Sequence, residues 1–174
     1  KNLSKHFGGL KALDRCTFEI RSNSMTGLIG PNGAGKTTTF DLITGLLEAT
    51  EGTIVFKNQD ITKMPGYKRA RLGIGRTFQL IRIFPELTVL DNVLVVLEKE
   101  YQNLKYCFLP RKKLMREKAM EYLKKINLEE HSRSYAKNLS YGQQKLLEII
   151  RTVATGAELL LLDEPAAGVN PTML

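Results

Sequence analysis

Only two cysteines and two histidines occur among 174 residues. Cys16 and Cys107 share no motif spacing, so they read as buried or half-buried thiols of a reducing compartment. His6 and His131 are too few for a multi-histidine metal site. No apolar run reaches 18 residues, so no stretch reads as a bilayer-spanning helix. Neither a signal-peptide pattern, an internal repeat nor a low-complexity segment is evident.

What is present suits one domain with an inserted lobe: 43% of residues are apolar, enough for a sizeable core. The net charge is +8, and residues 99–137 hold eleven Lys/Arg against five Asp/Glu. A solvated helical face explains that segment first, an anionic membrane surface second and nucleic acid third. The sequence begins without Met and stops at "NPTML", so it is expected to be clipped at both ends.

Alternation and β-branching mark strands at "LDRCTFEI" (13–20) and "GTIVFKNQDI" (52–61). "MTGLIG" has a short buried-strand pattern and runs into a glycine-rich loop; "KTTTFDLITGLL" follows with helical spacing of Phe40, Ile43 and Leu47. From Val89 the pattern turns helical, with Thr88 as N-cap of "LTVLDNVLVVLEKEY". "RKKLMREKAMEYLKKINL" sets Met115, Ala119, Tyr122 and Ile126 on one face, with Pro110 separating the two helices. A further helix, "LSYGQQKLLEIIRTVAT", precedes the continuous apolar strand of "AELLLLDEP". The expected layout is an α/β core, 1–79 and 139–174, with a helical subdomain inserted at 80–138.

"GPNGAGKT", Gly30 to Thr37, fits G-x-x-x-x-G-K-[ST] between a strand and a helix. Such a turn wraps backbone N–H groups around a polyanion, and glycines permit the close approach. The helix N-terminus adds its positive end. Asn32, Gly33, Ala34, Gly35, Lys36, Thr37 and Thr38 are the candidate phosphate contacts, with Lys36 a point charge at the β/γ oxygens and the Thr37 hydroxyl a ligand for Mg²⁺. At the end of the apolar strand, Asp163 and Glu164 are costly carboxylates unless they serve something. In a phosphoryl-transfer site Asp163 would hold Mg²⁺ through its water shell, and Glu164 would accept a proton from the attacking water.

Between these sites stands "LSYGQQK", Leu139 to Lys145, which resembles the signature of ATP-binding-cassette (ABC) proteins. With the phosphate loop, Gln79 in "GRTFQ", and "LLLLDEP", the motif order is that family's, over nearly the whole chain. "FGGLKAL", "GIGRTFQ", "FPELTVLDNV" and "LLLLDEPAAGVNP" look like the ATPase subunits of branched-chain amino-acid importers. No N-K-x-D motif for guanine occurs.

The resemblance implies a P-loop NTPase (RecA-like) α/β core with an N-terminal antiparallel β portion and an inserted helical subdomain. It also implies an ATP-hydrolysing subunit that dimerises around ATP. Phe7 would stack on adenine, the alternative being a plain core aromatic; Gln79 would reach Mg²⁺ and the water and link the core to the lobe. Ser140 and Gln143 form a capping box and Gly142 permits close approach, leaving an outward helix N-terminus; the resemblance implies that this site grips the γ-phosphate held by a second ATPase subunit. Tyr141 replaces the usual glycine or small residue, and Asn170 the usual aspartate.

Implied partners are transmembrane permease subunits and, indirectly, a solute-binding protein, at the cytoplasmic face of the cell membrane; no nucleic acid is expected. A non-transport ABC ATPase acting on nucleic acid or ribosomes is the alternative. About a hundred residues without sustained heptads separate the loop from the signature, which speaks against the DNA-repair type. The resemblance places a switch histidine roughly thirty residues after the acidic pair. Neither His6 nor His131 holds that place, so the 174 residues are expected to bind nucleotide and to hydrolyse it poorly, with the last core strands missing.

Overall fold

The computed structural model describes residues 1–101 and 110–165. It divides into two compact units, Lys1–Leu72 and Gly73–Leu174.

The first unit opens with an antiparallel hairpin, β1 (Leu3–Phe7) and β2 (Leu10–Cys16), in the register Lys5↔Leu13 and Phe7↔Leu10. The other edge of β1 is tied down as well: Ser4 N donates to Glu51 O (3.0 Å) and Thr50 N to Ser4 O (2.9 Å). Helix α1 (Lys36–Thr44) follows the glycine-rich loop and ends at Gly45, whose left-handed backbone turns its N–H onto the last carbonyls. Strands β3 (Val55–Phe56) and β4 (Gln59–Asp60) pair antiparallel, and α2 (Gly66–Leu72) closes the unit.

Three strand expectations change here. The 13–20 strand stops at Cys16, leaving Phe18 and Ile20 exposed. The 52–61 strand is a tight hairpin, because Lys57 and Asn58 both take positive φ (52° and 60°), the pair of left-handed residues that a type I′ turn requires. Residues 25–30 form no strand; Met25 is fully exposed and Ile29 is 93% exposed. A strand needs a ladder partner, and β2 is paired only with β1 among the described residues.

Arg69 of α2 is buried, and its guanidinium crosses to the end of α1. It donates to Leu42 O, to Ile43 O (3.0 Å), to Met64 O (2.7 Å) and to Thr62 O (2.9 Å). Burial lowers its pKa from the ordinary arginine value, yet a planar fork with this many acceptors stays charged.

In the second unit β5 (Ile74–Arg76) runs parallel to β6 (Leu159–Leu161), with Ile74↔Leu159 and Arg76↔Leu161 in register. Between them come α3 (Val89–Tyr101), α4 (Arg111–Lys124) and α5 (Tyr141–Ala154). Thr88 caps α3 as its sequence foretells: the hydroxyl accepts from Asp91 N (3.0 Å). Buried Asn92 ties the preceding loop to that helix, donating to Phe84 O and accepting from Phe84 N, both at 2.9 Å.

Val93 and Leu97 of α3, Ala119 and Leu123 of α4, and Leu147 and Ile150 of α5 form one apolar core. Each fully buried leucine contributes roughly 1.5–3 kcal/mol. Met115 and Ala119 are buried as their spacing demands, while Tyr122 and Ile126 are half-buried beside Leu123. Among the described residues no helix is long and apolar enough to cross a membrane.

Candidate functional site

The phosphate loop shows its geometry without any ligand. Gly33 and Gly35 hold φ of 84° and 81°, and Gly35 serves as N-cap of α1. A Cβ on Gly35 would stand 2.7 Å from Ala12 O of β2, so only glycine fits where the loop meets the hairpin. No side chain caps α1, which leaves the N–H groups of Lys36, Thr37 and Thr38 to an external acceptor. Lys36 Nζ folds back onto the loop and donates to Gly30 O and Pro31 O, both at 2.8 Å. An ammonium has three donors. Two hold the loop in shape and one remains for an anion.

Phe7 ends β1 on the hairpin whose other strand touches Gly35, and it is 47% exposed. Among the described residues no core covers the ring. Lys5 Nζ lies 5.1 Å from the ring centroid. A stacking role carries a specific expectation: Phe7→Ala weakens ATP and GTP binding alike, by about tenfold, whereas Phe7→Trp keeps both, in a fluorescent-nucleotide titration. Loss of ATP affinity alone would point to hydrogen-bond reading of the base instead.

The remaining site residues belong to the second unit. Asp163 follows β6, and its carboxylate is held by a residue that the sequence did not single out. Arg76, with a nearly buried side chain at the end of β5, donates from Nη2 to Asp163 Oδ2 at 3.2 Å. The parallel register explains the meeting: Arg76 stands opposite Leu161, two residues before Asp163. Asp163 N also donates to Thr77 Oγ1 (3.3 Å). An arginine among apolar residues at a strand end, "GIGRTFQ", was the available signal.

Glu164 is exposed and takes φ 46°, a left-handed backbone costing about 1–2 kcal/mol for a residue with a Cβ. The chain therefore turns straight after Asp163. Gln79 is exposed on the segment that leaves β5.

At the head of α5 the capping box is complete. Ser140 Oγ accepts from Gln143 N (3.3 Å), and Gln143 Oε1 accepts from Ser140 N (2.9 Å). Gly142 is buried and Tyr141 exposed, and Gln143 Nε2 lies 3.4 Å from His131 Nε2. Asn170 lies outside the described residues. Phe7 and residues 32–38 thus share the first unit; Gln79, Ser140–Gln143, Asp163 and Glu164 share the second.

A family model described as "ABC transporter" matches residues 13–167. The chain is 42% identical to the high-affinity branched-chain amino acid transport ATP-binding protein LivG of Salmonella typhimurium, over 97% of this chain and 69% of that protein. It is 41% identical to the corresponding protein BraF of Pseudomonas aeruginosa, with the same coverage. It is 38% identical to the lipopolysaccharide export system ATP-binding protein LptB of Haemophilus influenzae, over 98% of this chain and 68% of that one. Among solved structures, the ATP-binding cassette MJ1267 of an ABC transporter superposes with a TM-score of 0.84 at 38% identity, over 99% of this chain and 70% of that one. These matches bear out the P-loop ATPase cassette fold expected from the motifs.

Proposed function

The chain belongs to the ABC transporter family, and on that premise we propose that it is the ATP-binding and ATP-hydrolysing subunit of an importer for branched-chain amino acids. The 42% identity to the LivG protein, over 97% of this chain, supports this most directly.

The chemistry divides among this chain's residues. Backbone N–H groups of Asn32 to Thr38 and the third donor of Lys36 bind the ATP phosphates, and Phe7 stacks on the base. A bound Mg²⁺ would supply positive charge against the ATP phosphates. The Thr37 hydroxyl, the Gln79 amide oxygen and the Asp163 carboxylate are hard oxygen donors suited to it. Among the described residues no cluster of three or more His, Cys, Asp or Glu could hold a metal ion. Arg76 donates to Oδ2 of Asp163 and steadies that carboxylate. Glu164 takes a proton from the attacking water.

Ser140, Gly142 and Gln143 present the head of α5 to the γ-phosphate held by a second ATPase subunit, so that ATP joins the two. Closing and reopening of that pair drives the permease, which residues 80–138 contact at the cytoplasmic face of the membrane. A solute-binding protein delivers the cargo to the permease rather than to this subunit.

Reconstitution of the complete protein with its permease in proteoliposomes tests this. ATP inside the assembly's nucleotide compartment is expected to drive uptake of leucine, isoleucine and valine, with no uptake when ADP replaces ATP. ATP hydrolysis that proceeds without uptake of any of the three would overturn the cargo assignment.

A further inference from the structure

Gln79 sits on a stretch with little regular structure between β5 and α3, so something else must fix its backbone. Three charged residues at i, i+3 and i+6 of α5 do so. Lys145 is 1% exposed, and its Nζ donates to Phe78 O at 2.8 Å. Glu148 is 4% exposed; its Oε1 accepts from Arg82 N at 3.1 Å and, at 3.5 Å, from Phe78 N. Its other oxygen has no hydrogen-bond partner and lies 3.5 Å from Lys145 Nζ. Arg151 donates to Arg82 O (2.6 Å) and Asn92 O (3.1 Å) and stacks on Phe84. Backbone groups on both sides of Gln79 thus end on α5.

Burying an ammonium and a carboxylate costs several kcal/mol per ion, and an apolar pair of similar volume would be at least as stable. Overall stability is therefore a poor reason for the pair. Geometry is a better one, because α5 is also the helix that begins with the capped signature Ser140–Gln143. Eight residues, about 12 Å, separate that head from Glu148 on a single rigid rod.

We propose that Lys145 and Glu148 are positioning residues for Gln79. They lock the segment 78–82 to the signature helix, so that a tilt of α5 on meeting the second subunit's nucleotide moves Gln79 with it. The functional consequence rests on the role given to Gln79 above; the mechanical link does not.

The experiment uses the complete protein with Cys16 and Cys107 changed to serine and a nitroxide on Gln79→Cys, with a control nitroxide at exposed Lys112→Cys. In the Lys145→Met/Glu148→Met pair, which leaves no lone buried charge, the label at 79 is expected to gain mobility about threefold, while the control label and the melting temperature stay unchanged. In unlabelled protein the same pair is expected to lower kcat about tenfold at unchanged ATP affinity, and to add nothing in a Gln79→Ala background.

If the double variant does not fold, Glu148→Gln, nearly isosteric, takes its place. An unchanged label at 79 in the folded variant overturns the proposal, as does a loss of kcat that adds fully to that of Gln79→Ala. If the label loosens but Gln79→Ala leaves hydrolysis intact, the clamp stands and the role of Gln79 falls.

Discussion

Lys36→Ala is expected to weaken ATP binding by at least about a hundredfold, since a charge-assisted contact to phosphate is lost together with the support of the loop. The two losses are separable. Lys36 Nζ holds Gly30 O and Pro31 O at 2.8 Å, so its removal frees two carbonyls as well as a positive charge. Both carbonyls lie at an exposed loop and can turn to water, so the melting temperature of the variant without nucleotide should hardly fall. Titration of a fluorescent ATP analogue at two salt concentrations reads the result. The parent's affinity should drop as salt rises, and the variant's residual binding should drop less steeply. ATP affinity within threefold of the parent would count against the phosphate loop itself, and with it the whole nucleotide assignment.

Glu164→Gln is expected to lower kcat by about a hundred- to a thousandfold while nucleotide still binds, because the amide keeps the shape of the side chain but accepts no proton. The left-handed backbone at this position is no harder for glutamine than for glutamate, so the substitution adds no strain and the protein should fold as before. With hydrolysis blocked, ATP should hold two subunits together, and gel filtration with ATP should show a dimer that ADP does not support. Hydrolysis within tenfold of the parent would remove Glu164 from the chemistry. Blocked hydrolysis without dimer formation would spare Glu164 and remove the shared-nucleotide arrangement.

Much of this was legible before any coordinates. The phosphate loop and the capping box are local features, each written in a few consecutive residues, and the structure forms both. Thr88 at the head of α3 was equally local. What the sequence does not display depends on partners far along the chain. Arg76 meets Asp163 only because β5 and β6 run parallel in one register, across 87 residues of sequence. Lys145 and Glu148 read as a polar interruption of an apolar helix until the backbone of 78–82 is laid against them. The segment 25–30 failed in the opposite sense: its apolar pattern announces a strand, yet a pattern supplies no ladder.

The guanidinium of Arg69 has a bearing on the first step of nucleotide capture. Helix α1 spans nine residues, about 14 Å, too short to persist alone in water. Its head must stand ready to receive phosphate while its tail is already neutralised by a buried cation. A helix secured at its far end does not have to coil up as ATP arrives, so the entropy of ordering is settled during folding and is not charged against affinity. Lysine at that position would keep the charge and lose the fork, leaving carbonyls of α1 and of the Thr62–Met64 turn without a shared donor. The grip on ATP is thus set partly at the end of the helix that ATP never touches.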